Sequence, residues 1–109
     1  FYTDDDALAA ELQTLSHEVG DPLWRLPLWP AYAGWLDSKI ADTNHISSAP
    51  FAGSITAALF LKKFVERAKA WLHVDIYAWA PSAKPGRPEG GEVQAARAVF
   101  HWLKRRYTA

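Results

Sequence analysis

AGSITAALFLKKFVERAKAWLHVDIYAW, residues Ala52 to Trp79, decides how the chain reads. Its first half has helical character. Gly53 and Ser54 offer a start, because a serine hydroxyl can accept from the free amides of a first turn. From Ile55 to Leu61 only Thr56 is polar. At about 100° per residue such side chains point all round the axis, which predicts burial on several sides. Beyond Leu61, Lys62, Lys63 and Glu66 gather on one side and Phe64 and Val65 lie opposite, so the helix should end near solvent. After Arg67 to Ala70 the period changes to two. Leu72, Val74 and Ile76 alternate with His73, Asp75 and Tyr77, the pattern of a strand with one aliphatic face.

Working outward, Lys39 to Thr43 reads as a second short strand, followed by a Ser/Asn/Pro loop from Asn44 to Ala52. A helix between two strands makes a βαβ unit, whose parallel strands need cover on both faces. Two or three strands cannot form a covered parallel sheet, so further strands are expected in sequence outside this chain. Phe1-Tyr2 reads as the end of another strand.

The N-terminal helix is the most regular feature. Thr3 with Asp6 resembles a capping box, and Asp4, Asp5 and Asp6 suit the positive end of a helix dipole. Leu8, Leu12, Leu15 and Val19 form a stripe at helical spacing. Gly20 should end the helix and Pro22 prevents its continuation. The acidic triplet reads as a solvated helix start, because sequential Asp side chains diverge on a helix.

Prolines 22, 27 and 30 in DPLWRLPLWPAY forbid a regular helix or central strand. The leucines and tryptophans there are too apolar for a free linker, so an extended segment lying over a neighbouring surface is expected, or an aromatic ligand-binding wall. A short helix from Ala31 to Asp37 follows, with Tyr32, Trp35 and Leu36 inward. APSAKPGRPEGG after Tyr77 is a long Pro/Gly loop, and long ordered loops are often functional. A last helix runs from Glu92 to Arg106 with Val93, Ala96, Phe100 and Leu103 as its apolar face.

The 109 residues amount to about one small domain. Half are hydrophobic and the formal net charge is zero. A disordered tail is therefore excluded, and a nucleic-acid or membrane surface is not expected as the main partner. Cysteine is absent, so there is neither a disulfide framework nor a thiolate metal site. No apolar run approaches the ~20 residues of a membrane span. The chain begins at Phe1 and contains no methionine, which predicts a piece of a longer protein.

His73 and Asp75 share one face of the expected strand and could ligate a metal or work as acid and base. A metal site needs about three protein ligands, and only Asp42 and His45 could add to them. A structural histidine bonded to a neighbour is the plainer reading. GRPEGG (Gly86 to Gly91) lacks the lysine of a phosphate loop, and no GxSxG or HExxH occurs.

Four segments carry a resemblance: LWRLPLW (Leu23 to Trp29), SKIADTNHI (Ser38 to Ile46), FAGSITAALFLKKFV (Phe51 to Val65) and WLHVDI (Trp71 to Ile76). In this order and spacing the chain resembles the C-terminal part of the leucyl (cytosol) aminopeptidase family. Gly90 and Arg97 extend the match more loosely. The resemblance implies an α/β fold, residues 1–109 being the incomplete C-terminal portion of a larger three-layer α/β/α catalytic domain. Three to four helices and two to three short strands belong to this portion. It also implies a cytoplasmic metallo-aminopeptidase that removes N-terminal residues, often leucine, from peptides. Two divalent metals, zinc or manganese, supply Lewis acids and the attacking water, and the whole enzyme is a hexamer. The family's metal ligands and its catalytic lysine and arginine fall in motifs absent from this chain. The segment should instead complete the sheet of the upstream part of the domain and wall the substrate pocket.

By position, the resemblance places Ile46, Tyr77 and Ala80 on that wall. It leaves His73 and Asp75 in the strand, not among the metal ligands. The family usually reads Ile-Ala-Gly where Ile76, Tyr77 and Ala78 stand, so tyrosine should narrow or re-aim the pocket. A Gly-Ala-Thr-Gly turn is replaced by Gly90, Gly91, Glu92 and Val93, so the loop before the last helix should differ. The alternative is a non-catalytic binding or assembly module that keeps the fold pattern.

Overall fold

The structure is a computed structural model that describes residues 1–108. In chain order come α1 (Asp6–Glu18), a 3-10 helix (Pro30–Leu36), α2 (Gly53–Lys62), strands β1 (Trp79–Ala80) and β2 (Gly90–Gly91), and α3 (Ala96–Tyr107). They belong to two compact units. The first holds Phe1–Asp6 and Arg25–His73, the second Ala7–Trp24 and the described residues from Val74 onward.

The first unit is built around Phe1-Tyr2. Tyr2 exchanges backbone hydrogen bonds with His73, at 2.9 and 3.0 Å, as an isolated antiparallel bridge. On the preceding residue, the Phe1 carbonyl accepts from the Leu26 amide at 2.9 Å. Tyr2 is fully buried, its ring stacks on His73, and its hydroxyl is hydrogen-bonded to that of Ser54 on α2. The serine expected as a cap therefore holds the N-terminal segment instead. The residue before α2, Ala52, adopts the left-handed conformation (φ 53°), and no side chain caps the helix there.

The 3-10 helix packs against α2 and contributes the buried Leu36. Tyr32 and Trp35 stack on each other and are half-buried, so the expected inward trio is strongest at Leu36. On α2, only Thr56 and Ala58 are buried, and Leu61 is exposed. All-round burial was the expectation, but it needs packing neighbours on several sides, and the described part of this unit covers α2 incompletely.

Both strands expected around α2 are corrected. Residues 39–42 form bends and Thr43 has no regular structure. The Ser38 hydroxyl accepts from the Ile40 and Ala41 amides at 3.2 and 3.1 Å. The Leu36 carbonyl accepts from the Asn44 amide and the Thr43 hydroxyl, and Asn44 Nδ2 donates to the Asp37 carbonyl at 2.7 Å. Short polar side chains thus capture the backbone groups that a ladder would have used. Over residues 72–77 only His73 pairs, and it pairs antiparallel. A period of two marks a segment able to join a sheet; the ladder itself has to come from a partner strand.

In the second unit, Leu8, Ala9, Leu12, Leu15 and Ser16 bury one side of α1, as the leucine stripe predicts. Val19 is half-buried. Gly20 sits at φ 66°. Its amide donates to the His17 carbonyl, while the Asp21 amide donates to that of Ser16. This is a Schellman stop, which favours glycine at its left-handed position. The Ser16 hydroxyl then accepts from the Leu23 amide at 3.0 Å and turns the chain away. Residues 21–29 lack regular structure, as their prolines require. Leu23 is buried, but Trp29 and Leu26 remain exposed, so the segment lies only partly against a surface.

α3 begins four residues later than expected. Asp21 sets the point: its Oδ1 accepts from the Ala95 amide and its Oδ2 from the Ala98 amide, both at 3.1 Å. The helix also lies on a different side from the one expected. Ala95 and Ala98 are buried, whereas Val93, Phe100 and Leu103 are exposed. Three polar contacts to α1 and its C-terminal end fix this rotation: Arg97 to the Val19 carbonyl (3.2 Å), Trp102 Nε1 to Glu11 (3.2 Å) and Arg105 to Glu18 (2.7 Å). No described helix is long and apolar enough to cross a membrane.

Candidate substrate-pocket wall

The residues expected on a pocket wall fall in both units. In the first unit, Ile46 stands in the loop between the 3-10 helix and α2 and is exposed. Its neighbours His45 and Ser47 line a cleft of about 330 Å³ with Leu36, Thr56, Phe60 and Leu61. The Ser48 amide donates to the Trp35 carbonyl at 2.9 Å and anchors the loop two residues beyond Ile46.

In the second unit, Tyr77 and Ala80 flank a sharp corner. Ala78 has φ 60°, a left-handed conformation that side chains disfavour. It occupies the position at which the resembled pattern carries glycine. Both of its peptide groups are held. Its carbonyl accepts from the Glu92 amide at 3.0 Å, and its amide donates to Gln94 Oε1 at 3.2 Å. Directly after it, Trp79 pairs with Gly91 and Ala80 with Gly90. Tyr77 is 75% exposed and Ala80 is 4% exposed. Ala80 lines a cavity of about 280 Å³ together with Asp21, Arg87, Glu92, Gln94 and Arg97. Arg87 pairs with Glu92 across the loop, and Lys84 and Arg87 exchange backbone hydrogen bonds, so this Pro/Gly loop is internally braced.

His73 and Asp75 meet different surroundings. His73 belongs to the first unit, where its ring stacks with those of Tyr2 and Trp71 at centroid distances of 5.9 and 6.2 Å. Its Nε2 is buried without a hydrogen-bond partner. Asp75 is exposed and belongs to the second unit. Among the described residues, no three His, Cys, Asp or Glu side chains group as a metal ion would require. The donors among them do not fit a dimetal centre. Gln94 and Asp21 were missed in the sequence, because their partners are backbone amides, which leave no trace in residue type.

Comparison with known proteins agrees over nearly the whole chain. The pattern of the cytosol aminopeptidase family, catalytic domain, matches residues 1–100. The chain belongs to the cytosol aminopeptidase family. It is 38% identical over 106 residues to a probable cytosol aminopeptidase of Synechococcus sp. (strain RCC307), covering 95% of this chain and 21% of that protein. It is 35% identical over 105 residues to a probable cytosol aminopeptidase of Chlorobium luteolum, covering 95% of this chain and 20% of that protein. The crystal structure of cytosol aminopeptidase from Coxiella burnetii superposes with a TM-score of 0.90 at 48% identity, over 96% of this chain and 23% of that one. The chain thus spans about a fifth of the length of the curated relatives it matches. Its helices and small antiparallel sheet are consistent with the C-terminal part of an α/β domain.

Proposed function

We propose that this chain is the C-terminal part of the catalytic domain of a leucyl aminopeptidase-like enzyme, an incomplete domain that walls the substrate pocket and completes the sheet. The observation that carries this reading is the superposition of 96% of the chain on a solved cytosol aminopeptidase at a TM-score of 0.90. The whole protein then hydrolyses N-terminal residues from peptides as a cytoplasmic homo-hexamer. Two divalent ions, zinc or manganese, supply Lewis-acid polarisation and an activated water when bound, on ligands outside this chain.

The residues of this chain have a different task. Tyr77 and Ala80 line the pocket for the substrate's first side chain, and Ile46 is a wall residue of the other unit. Tyr77, at a position the family fills with alanine, narrows the space and shifts preference toward small N-terminal residues. Exposure of Tyr77 in this chain supports a wall whose opposite side is formed by the upstream part of the same domain.

The test uses the intact protein. Given manganese or zinc, it should cleave aminoacyl p-nitroanilides, and Tyr77→Ala should raise kcat/KM for the leucyl substrate relative to the alanyl one by about tenfold. Absence of metal-dependent turnover would overturn the enzyme reading. Turnover with an unchanged ratio would remove Tyr77 from the wall and leave the enzyme reading standing.

A further inference from the structure

We propose that Gln94 is a positioning residue for Tyr77, and through it a determinant of which N-terminal residue is accepted. The proposal rests on Tyr77 lying on the pocket wall. Tyr77 is 75% exposed and no hydrogen bond or aromatic pairing holds it among the described residues, so the backbone that carries it sets where its side chain starts. That backbone turns at Ala78, whose φ of 60° is disfavoured for any residue with a Cβ. A corner of this kind persists only when its surroundings over-determine it.

Two hydrogen bonds do so, and they differ in kind. The Glu92 amide to the Ala78 carbonyl, at 3.0 Å, adjoins the Trp79–Gly91 pairing and belongs to the hairpin whatever side chains it carries. The Ala78 amide to Gln94 Oε1, at 3.2 Å, depends on one side chain. Without it, the exposed amide turns to water, which fixes no direction, and Ala78 is free to move toward negative φ. Rotation there swings Tyr77 and leaves Trp79 and Ala80 in the ladder. Gln94 touches no reacting atom; it acts on the substrate only by aiming Tyr77.

The experiment compares leucyl and alanyl p-nitroanilide hydrolysis by the intact protein with amide hydrogen exchange over residues 76–80. Gln94→Ala should raise the exchange of the Ala78 amide and change the leucyl-to-alanyl ratio of kcat/KM by about threefold in the direction of Tyr77→Ala. Gln94→Glu, which keeps an acceptor, should stay within about twofold of the unaltered protein on the same scale. In a Tyr77→Ala background, Gln94→Ala should leave the ratio where it is, since the group it aims is gone. Should Gln94→Ala unfold the loop, Gln94→Met keeps the length without the acceptor and is read in the same way.

Unchanged exchange at Ala78, an unchanged ratio, or an equal effect with and without Tyr77 would each overturn the proposal. If Tyr77→Ala itself leaves the ratio alone, the wall reading falls and takes this role with it. The exchange measurement then still reports whether the Gln94 contact exists.

Discussion

The carboxylate of Asp21 grips the first turn of α3 from a point 74 residues earlier in the chain, with Oδ1 on the Ala95 amide and Oδ2 on the Ala98 amide. Two amides that have no partner inside the helix are thereby satisfied, and a negative charge sits at the positive end of its dipole. Asp21→Ala should lower stability by about 1–2 kcal/mol, the range found for strong N-caps, and Asp21→Asn by less. Urea unfolding of the two variants checks the order. Equal midpoints for Asp21→Ala and the unaltered protein would show that α3 starts without the cap.

Ala78 is held at φ 60°. The left-handed conformation costs an alanine about 1–2 kcal/mol, while glycine adds about 0.5–1 kcal/mol of unfolded-chain entropy. Ala78→Gly should therefore stabilise the protein by up to about 1 kcal/mol. The melting temperature reads the effect, and a fall would mean that the corner relaxes in solution.

The Lys62 ammonium donates to Asp4 at 2.6 Å and, with a backbone hydrogen bond, holds the Asp4 carboxyl below its ordinary value of 3.8. The unfolded chain then takes up this proton at a higher pH than the folded one. The contribution is present above about pH 3.8 and is lost as pH falls through the lower folded value. Both groups are substantially exposed, so the effect is small and screened by salt. Lys62→Gln should flatten the acid limb of a melting-temperature profile at low ionic strength and change little at neutral pH in high salt.

Leu12 is fully buried in the apolar stripe of α1. Leu12→Ala should cost about 2–5 kcal/mol through lost transfer energy and the cavity left behind. Exposed Leu103, on the side of α3 that reads as apolar in the sequence, should tolerate the same change within about 0.5 kcal/mol. Paired denaturation curves distinguish the two, and a similar loss at both positions would place the buried face of α3 wrongly.

Residue types and spacing alone determine much of this protein. The leucine stripe and Gly20 bound α1, the prolines keep residues 21–29 irregular, and the run from Gly53 makes α2. The ordered segments around SKIADTNHI and WLHVDI place the chain in its family. These features are local: a helix satisfies its amides four residues away, and a left-handed stop needs only the right residue in place. The tertiary structure decided the rest. It pairs Tyr2 with His73 in place of two parallel strands, starts α3 at a distant aspartate, and turns Ala98 inward in place of Phe100. It also fastens Ala78 to Gln94 at the candidate wall. A strand pattern or a free amide states only that a partner is needed. Which partner meets it depends on segments far apart in sequence, and that is settled when the chain packs.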